Sequence, residues 1–207
     1  MRTLPVGDEE TLAAAVSALD HGEVVVVPTD TVYGLAARPD DAGAVQGIYR
    51  AKERPADLPL PVLAASLDQV RGLGVALPDA ALTLAARWWP GPLTMALGFT
   101  EAGGCPDWLA GRHEVAVRIP GHPFLLELLG HTGPLLVTSA NQHGSATPPT
   151  ADEAAGSLAG HVSLIIDGGT LESTPSTLVN LRSGWPVVER QGAIPASDIA
   201  GALAGLR

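Results

Sequence analysis

One lysine stands among the basic residues of this chain, and its type and position suggest anion chemistry. Of twelve basic residues eleven are arginine, and the exception is Lys52 in the run Ala51-Lys52-Glu53-Arg54-Pro55. A lysine ammonium is a compact point charge on a flexible stem, whereas a guanidinium is a flat, rigid fork. A site for a phosphate oxygen would favour the point charge. The alternative is a compositional accident at a solvated helix end.

Four polar segments follow predicted strands or end a predicted helix, and ligands of α/β proteins bind at such places. They are 28–34 (Pro-Thr-Asp-Thr-Val-Tyr-Gly), 52–55 (Lys-Glu-Arg-Pro), 138–144 (Thr-Ser-Ala-Asn-Gln-His-Gly), and 175–177 with 190–192. The first segment could orient a small polar substrate, unless Asp30 merely closes an ordinary turn on its own backbone. The small residues of the third would let backbone N–H groups approach a phosphate.

Alternating helices and strands must position these segments, and their mixture predicts an α/β domain. Apolar patterning predicts helices at 8–19, from Asp40 or Asp41 to about 52, 79–89, 123–129, and after a capping box at 150–153. It predicts strands at 23–27, 31–36, 60–64, 93–99, 114–119, 135–138, 163–166, 177–181 and 186–190. In the strand 114–119, Val115 and Val117 alternate with Arg118, which places the arginine on the opposite face.

Length and composition predict a single folded domain over residues 1–207 with no need of a disulfide or metal to fold. Cys105 is the one cysteine, the start of the chain has no apolar signal core, and no apolar run approaches bilayer length. We therefore expect a cytoplasmic protein that does not contact a membrane. The net charge of −10 disfavours a broad nucleic-acid surface but allows a local pocket of cations.

Several familiar catalytic motifs are missing from the sequence. It has no Gly-x-x-x-x-Gly-Lys phosphate loop and no Gly-x-Ser-x-Gly elbow, so Ser139 is not expected to be a hydrolase nucleophile. The six histidines lack metal-ligand spacing, so no protein metal site is expected. The pair Trp88-Trp89 is more typical of a core than of a base-stacking platform.

The order of the motifs resembles the YrdC-type threonylcarbamoyl-AMP synthase family in its short, single-domain form. The matching segments are 28–34, 52–55, 89–94 (Trp-Pro-Gly-Pro-Leu-Thr), 117–120 (Val-Arg-Ile-Pro), 139–144, 176–177 and 190–192. The resemblance covers about residues 9 to 194. It implies a YrdC/RibB-like α/β (α+β) fold, with a twisted mixed sheet, flanking helices and a large concave cavity lined by positive charge.

The resemblance also implies a reaction and a set of roles. L-Threonine, bicarbonate and ATP would give threonylcarbamoyl-AMP and pyrophosphate, which feeds tRNA threonylcarbamoyladenosine modification by downstream transferase machinery. Lys52 and Arg54 would be catalytic and hold the ATP phosphates. The nucleotide would also face Ser139, Asn141 and Arg190; threonine would be held by Thr31, Tyr33, Arg118, Thr138 and Ser176. Magnesium would be held mainly by the nucleotide and water.

Two departures from the family pattern keep alternatives open. Many relatives carry a second lysine where this chain has Leu58, so either Arg54, magnesium or another arginine covers for the missing cation or activity is reduced. The change could merely lower phosphate affinity or the pocket could pack around the apolar side chain, and the adjoining predicted strand favours packing. The run Thr147-Pro148-Pro149-Thr150 also differs slightly from the usual Ser-Pro-Thr. The rival hypotheses are a nucleotide-binding paralogue of weak or different activity and an RNA-binding module. The charge of −10 disfavours direct RNA binding.

Overall fold

A computed structural model describes residues 1–101, 104–158, 160–172, 174–182 and 185–206. The helices in these ranges are α1 (Thr11–Asp20), α2 (Ala42–Lys52), α3 (Leu67–Gly72), α4 (Asp79–Trp88), α5 (Pro123–Thr132), α6 (Ala151–Ser157) and α7 (Ala196–Leu203). The strands are β1 (Arg2–Pro5), β2 (Val25–Val27), β3 (Gly34–Ala37), β4 (Val62–Leu63), β5 (Leu93–Gly98), β6 (Glu114–Arg118), β7 (Leu135–Ser139), β8 (Leu164–Asp167), β9 (Thr177–Asn180) and β10 (Val187–Arg190). A single 3-10 turn covers Asp107–Leu109.

The strands form one mixed sheet in the order β1-β8-β2-β3-β7-β4-β6-β5-β9-β10. The pairs β1–β8, β2–β8, β4–β6 and β5–β9 are parallel, and the remaining neighbours are antiparallel. The predicted α/β fold, a mixed sheet flanked by helices, is therefore confirmed. Strands distant in sequence, such as β3, β7, β4 and β6, lie side by side and bring the polar segments together.

Helices pack against both faces of the sheet, but they cover one face only in part. On the fully covered face, α2, α4, α6 and α7 contribute apolar residues to a core that includes Leu35, Val117 and Met95. On the other face, α1 and α5 pack over β1, β8, β2, β3 and β7 through Leu19 and Leu125. The same face of β6, β5 and β9 carries small or polar residues and lines a cavity.

Most predicted elements are confirmed within a few residues, and three were missed. Asp41, one of the two suggested caps, accepts a hydrogen bond of 2.9 Å from the amide of Ala44 at the start of α2. The missed elements are β1, α3 and α7. Strand β1 is a four-residue edge strand with one buried side chain, and α3 is only six residues long, so neither offers a full period of apolar spacing. No helix in the described part of the chain is long and apolar enough to cross a membrane.

Candidate active site

A cavity of about 630 Å³ opens on the partly covered face of the sheet. Its wall combines side chains from β5, β6, β7, β9 and β10 with the segments that follow β2 and α2. The polar side chains among its lining residues are Thr29, Thr31, Arg54, Thr94, Arg112, Glu114, Arg118, Thr138, Ser139, Thr147, Ser176, Glu189 and Arg190. Four arginines in one cavity favour an anionic ligand, although the whole chain is acidic.

Arg118 lines this cavity and is 5% exposed. Its Nη2 donates to Asp30 Oδ1 at 2.6 Å, its Nη1 to Thr31 Oγ1 at 2.8 Å, and its Nε to the Gly91 oxygen at 2.9 Å. Burial lowers the pKa of the guanidinium, and the Asp30 carboxylate opposes that shift. Because a guanidinium carries five N–H groups, two remain for a ligand carboxylate. The alternation predicted in β6 holds, since Val115 and Val117 lie in the opposite core.

The turn after β2 is fixed by Thr29 and aims Asp30 at Arg118. Thr29 Oγ1 donates to the Val32 oxygen at 2.7 Å and accepts from the amides of Thr31 and Val32, both at 3.0 Å. The side chain of Asp30 pairs with Arg118 instead of closing the turn on its own backbone. The ordinary-turn alternative for Asp30 is therefore wrong. This turn presents the Thr31 hydroxyl beside the guanidinium.

A second polar group joins β5, β9 and β10. Thr94 Oγ1 and Ser176 Oγ are 2.7 Å apart, and Arg190 Nη2 donates to the Ser176 oxygen at 3.0 Å and to its Oγ at 3.2 Å. The β9–β10 pairing is irregular between Val188 and Arg190, and such a bulge re-aims the side chains that follow it. Burial lowers the pKa of the Arg190 guanidinium. The structure thus brings Ser176 and Arg190 into the cavity together.

The end of β7 brings two more of the predicted residues into the cavity wall. Thr138 and Ser139 are both cavity-lining, and Ser139 lies opposite Gly34 in the β3–β7 ladder. A Cβ added to Gly34 would lie 2.6 Å from Val137 Cγ1, so the Val137 side chain would have to shift to accept any other residue there. The polar ends of β3 and β7 therefore meet at the cavity edge.

Arg54 and Leu58 form the cavity wall after α2. Arg54 donates from Nε to the Leu58 oxygen and from Nη2 to the Pro59 oxygen, both at 3.2 Å. Leu58 lines the cavity and is 36% exposed. The expectation that the pocket packs around a buried Leu58 is wrong, because the strand begins only at Val62 and residues 57–59 before it are exposed.

Lys52 is buried beneath the cavity and does not line it. The residue is 2% exposed, so the alternative of a solvated helix end is wrong. Its ammonium donates to the Ser139 oxygen, to the Asn141 oxygen at 2.5 Å and to Asn141 Oδ1 at 3.2 Å. Burial and, secondarily, the nearby charge of Arg54 lower the pKa of this ammonium from 10.5 to about 8. In this structure the lone lysine fastens the 139–141 turn, and contact with phosphate remains a prediction.

Asn141 and Tyr33 also lie outside the set of cavity-lining residues. Asn141 Nδ2 donates to the oxygens of Gln142 at 3.0 Å and Ser145 at 2.6 Å, which closes the loop after β7. Tyr33 is fully buried, and its hydroxyl donates to the Gly169 oxygen at 2.6 Å; burial raises its pKa to about 12. The geometry therefore gives Tyr33 a structural role and no route to a ligand in the cavity.

Sequence reasoning missed Thr94, Asp30 and Arg112 as members of the site. Thr94 ends the Trp-Pro-Gly-Pro-Leu-Thr motif, and Asp30 lies within the first polar segment. A motif therefore marked both positions, but the residue type alone did not show that these side chains belong to the site. Arg112 lies outside every motif named above. Among the described residues, no group of three or more His, Cys, Asp or Glu side chains is arranged to hold a metal ion.

The fold and the site define a class: an α/β domain whose arginine-lined cavity suits a small molecule that carries negative charge. Comparison with known proteins gives the family. The family model Sua5_yciO_yrdC, described as "Telomere recombination", matches residues 17–192. The chain belongs to this Sua5/YciO/YrdC family.

Individual relatives agree with this assignment. The chain is 39% identical over 194 residues to "Threonylcarbamoyl-AMP synthase" of Bacillus subtilis, covering 93% of this chain and 56% of that protein. It is 37% identical over 203 residues to the protein of the same name from Pyrococcus abyssi, covering 97% and 59%. A Mycobacterium tuberculosis relative is 38% identical and is covered over 88% of its length. This chain thus spans little more than half the length of the first two.

Solved structures give the same result in three dimensions. The P. abyssi Sua5 structure complexed with L-threonine superposes with a TM-score of 0.89 at 36% identity, covering 98% of this chain and 61% of that one. The Escherichia coli YciO structure superposes with a TM-score of 0.85 at 27% identity, covering 96% and 98%. A HypF structure at 18% identity, with a TM-score of 0.73, shares the fold alone.

Proposed function

We propose that this chain is an L-threonylcarbamoyladenylate synthase, a nucleotidyltransferase that converts L-threonine, bicarbonate and ATP into threonylcarbamoyl-AMP and pyrophosphate. The observation that carries the proposal is the buried Arg118 of the cavity wall, which keeps unused N–H groups beside the Thr31 hydroxyl. That arrangement suits a small amino acid with a carboxylate. Support comes from relatives named threonylcarbamoyl-AMP synthase and from a Sua5 structure complexed with L-threonine.

Threonine would occupy the cavity beside Arg118. The guanidinium would take the carboxylate as a charge-assisted pair, which is stronger than a neutral hydrogen bond. Thr31, Thr138 and Ser176 all line the cavity and would orient the rest of the amino acid. We leave Tyr33 out of this site because its hydroxyl is fully used inside the core.

The nucleotide would occupy the remaining length of the cavity, with magnesium bound to its phosphates as part of the substrate. Ser139, Arg190 and Arg54 line this region and are the side chains that could face it. Lys52 and Asn141 would act by holding the 139–141 turn in place. If the turn shifts on binding, the Lys52 ammonium could also reach a phosphate, as the sequence predicts.

The chemistry requires no nucleophile from the protein. The amine of threonine condenses with bicarbonate to form a carbamate and releases water. A carbamate oxygen then attacks the α-phosphorus with pyrophosphate as the leaving group. The chain then has to hold the reactants in line and offset phosphate charge, which the cavity arginines can do. It must also keep water from a labile carbamate, and a deep cavity on a rigid sheet favours this.

The product would pass to transferase machinery that modifies tRNA, and we propose the cytoplasm as the place of action. We retain residues 1–207 as one domain in this proposal. Direct contact with RNA is not part of it, because the net charge of −10 disfavours a nucleic-acid surface.

Pyrophosphate release tests the proposal directly. Purified chain with ATP, magnesium, L-threonine and bicarbonate should release pyrophosphate, and omission of threonine or bicarbonate should abolish the release. L-Serine and L-valine serve as matched amino acids that each lack one part of threonine's side chain. Equal rates with and without threonine would reject the synthase.

One observation supports a second candidate, a nucleotide-binding paralogue of weak or different activity. Leu58 places an apolar side chain on the cavity wall where many relatives have a lysine. In this case ATP would still bind in the cavity, but threonine would not change the rate of pyrophosphate release. The omission experiment therefore separates the two candidates.

A further inference from the structure

The hydroxyls of Thr94 and Ser176 carry one more proton than the protein uses. Their Oγ atoms are 2.7 Å apart, and both residues are buried, at 6% and 7% exposure. Arg190 Nη2 donates to Ser176 Oγ at 3.2 Å. Among the residues that the structure describes, neither hydroxyl makes any other hydrogen bond. One of the two O–H protons lies between the oxygens, and the other has no acceptor in this part of the protein.

The direction of the hydrogen bond within this hydroxyl pair does not change the result. If Ser176 donates to Thr94, the Thr94 proton is left over, and in the opposite direction the Ser176 proton is left over. Both residues line the cavity, so the unused O–H is available to a ligand there. A hydroxyl that accepts from a guanidinium is a stronger donor in turn, because neighbouring hydrogen bonds polarise one another. The pair therefore favours a ligand oxygen that carries negative charge.

The register of the sheet places the hydroxyl pair beside Arg118. Met95 of β5 lies opposite Val117 of β6, and one further step within both strands brings Thr94 opposite Arg118. Residues opposite each other on one face of an antiparallel pair have Cβ atoms roughly 5 Å apart. Thr94 and Arg118 both line the cavity. A ligand group held by Arg118 would thus have the hydroxyl pair next to it.

Arg190 lies on the other side of the hydroxyl pair. Leu178 of β9 pairs both with Thr94 of β5 and with Arg190 of β10. One row of cavity-lining residues therefore crosses β6, β5, β9 and β10, formed by Arg118, Thr94, Leu178 and Arg190. The two guanidiniums of this row are close enough to interact, since burial lowers the pKa of Arg118 and the charge of Arg190 lowers it further.

The two arginines of the row differ in how their charge is balanced. Arg118 pairs with Asp30, whereas no carboxylate among the described residues forms an ion pair with Arg190. Glu189, beside it in sequence, accepts from a side-chain amide of β9. Because Nε and Nη2 of Arg190 both donate to Ser176, the two N–H groups of its Nη1 remain free. The row therefore has a place for a second anionic group beside the one that Arg118 would hold.

We propose that Thr94, Ser176 and Arg190 bind the carboxylate that bicarbonate adds to the amine of threonine. This inference rests on the proposed function and gives its third substrate a place in the cavity. The amine nitrogen forms a bond to the bicarbonate carbon, the C–OH bond breaks, and the hydroxide leaves as water with one amine proton. The hydroxyl pair and the Arg190 guanidinium would hold first bicarbonate and then the carbamate.

The geometry of the product fits two anion sites on neighbouring strands. Only the α-carbon and the nitrogen separate the carbamate carboxylate of N-carboxythreonine from its α-carboxylate. With the α-carboxylate on Arg118, the carbamate would therefore reach the hydroxyl pair on the next strand. Arg190 can still face the nucleotide, because a carbamate oxygen has to meet the α-phosphorus.

The bicarbonate dependence of pyrophosphate release tests the subsite. Rates should be measured against bicarbonate at saturating ATP and L-threonine for wild type, Thr94→Val and Thr94→Ser, and threonine affinity by calorimetry in bicarbonate-free buffer. Thr83→Val is the matched control, because Thr83 lies on α4 and outside the cavity lining. We expect Thr94→Val to lower kcat/KM for bicarbonate at least tenfold and to change threonine affinity less than threefold. Thr94→Ser keeps the hydroxyl and should stay within threefold of wild type in both.

Three results would decide against the subsite: kcat/KM for bicarbonate within twofold of wild type in Thr94→Val, an equal loss in Thr83→Val, or an equal loss of threonine affinity. Should Thr94→Val not fold, Arg190→Gln replaces it, because Arg190 is exposed and its loss leaves the hydroxyl pair in place. That variant must lower kcat/KM for bicarbonate at least tenfold with threonine affinity unchanged, and an unchanged kcat/KM rejects the subsite. A wild-type chain whose pyrophosphate release is independent of threonine would instead reject the proposed function, and the subsite with it.

Discussion

The ammonium of Lys52 lies 2.5 Å from the main-chain oxygen of Asn141, and the two residues are joined a second time through the Asn141 side chain. This buried contact links the end of α2 to the loop after β7, 89 residues further along the chain. The loop carries Ser139, which lines the cavity. The lysine is therefore placed to control the shape of the cavity wall even where it touches no ligand.

Loss of this ammonium should destabilise the chain and loosen the loop. Lys52→Met leaves at least two buried carbonyl oxygens without a donor, which should lower the free energy of unfolding by on the order of 3 kcal/mol. Arg50→Met is the control, because Arg50 is a basic residue of the same last helical turn and is exposed. Urea unfolding measures both variants. Equal free energies of unfolding for the two variants would show that the Lys52 ammonium does not stabilise the 139–141 turn.

The protonation of Lys52 should be directly measurable because the chain has no other lysine. With lysine labelled at the ε-carbon, NMR should show one signal that titrates with a pKa of about 8 instead of 10.5. The unfolded chain then binds more protons than the folded chain between about pH 8 and 10.5, so this group makes the unfolding free energy rise with pH in that window. Lys52→Met should lack this rise. A midpoint near 10.5 would refute the expected shift.

Arg118 should separate threonine binding from ATP binding. Arg118→Gln keeps hydrogen-bonding capacity but loses the charge that would face a carboxylate, so threonine affinity should fall by about tenfold to a hundredfold. ATP affinity should change far less. The substitution also leaves Asp30 partly buried and unpaired, which should cost about 3–5 kcal/mol of stability.

The double variant Asp30→Asn/Arg118→Gln controls for that loss of stability. Removing both charges should recover part of the unfolding free energy without restoring threonine binding. Calorimetric titration and urea unfolding provide the two measurements. Equal losses of threonine and ATP affinity in Arg118→Gln would count against the carboxylate role.

Leu58→Lys should strengthen ATP binding at little cost in stability. Leu58 is 36% exposed on the cavity wall, so a lysine ammonium there can remain in water and still approach a phosphate. We expect ATP affinity to rise by about threefold, as for a partly exposed charge pair. Leu82→Lys is the matched control, because Leu82 is 39% exposed on α4. A lower melting temperature with unchanged ATP affinity would restore the packed-pocket interpretation.

The fold was largely predictable because its strands are marked by β-branched runs and its helices by caps and apolar spacing. The run Val24 to Val27 and the alternation around Val117 each predicted a strand that the structure confirms. The order of strands in the sheet was not predictable in this way. Pairing of β3 with β7 joins segments about a hundred residues apart, and local patterns contain no information about such contacts.

The candidate site was predictable by residue type more than by orientation. The sequence indicated Arg118 and Ser176, and both lie in the cavity wall. It also indicated Lys52, Asn141 and Tyr33, whose polar atoms point instead to buried carbonyls and turns. A side chain's direction depends on the neighbouring backbone, and for these three that backbone comes from distant parts of the chain.

Gly192 should tolerate no side chain, because backbone atoms of the 175–176 segment of the cavity wall contact it closely. A Cβ added there would lie 2.1 Å from the Pro175 oxygen and 2.6 Å from the Ser176 carbonyl carbon, both of them backbone atoms. The Gly192 amide donates to Thr177 Oγ1 at 2.9 Å, so the residue cannot simply move away. Gly192→Ala should displace the 175–177 segment and with it the Ser176 hydroxyl that lines the cavity.

We expect this variant to lose about 1–3 kcal/mol of unfolding free energy, the usual cost of an overpacked site, and to bind threonine more weakly. Gly201→Ala is the control, because Gly201 lies within α7 with nothing within 4 Å of an added Cβ. That substitution should raise stability by about 0.5–1 kcal/mol, since alanine favours a helix interior over glycine. Urea unfolding and threonine titration test both variants, and a Gly192→Ala protein as stable as wild type with full threonine affinity would show that the 175–177 segment does not shape the site.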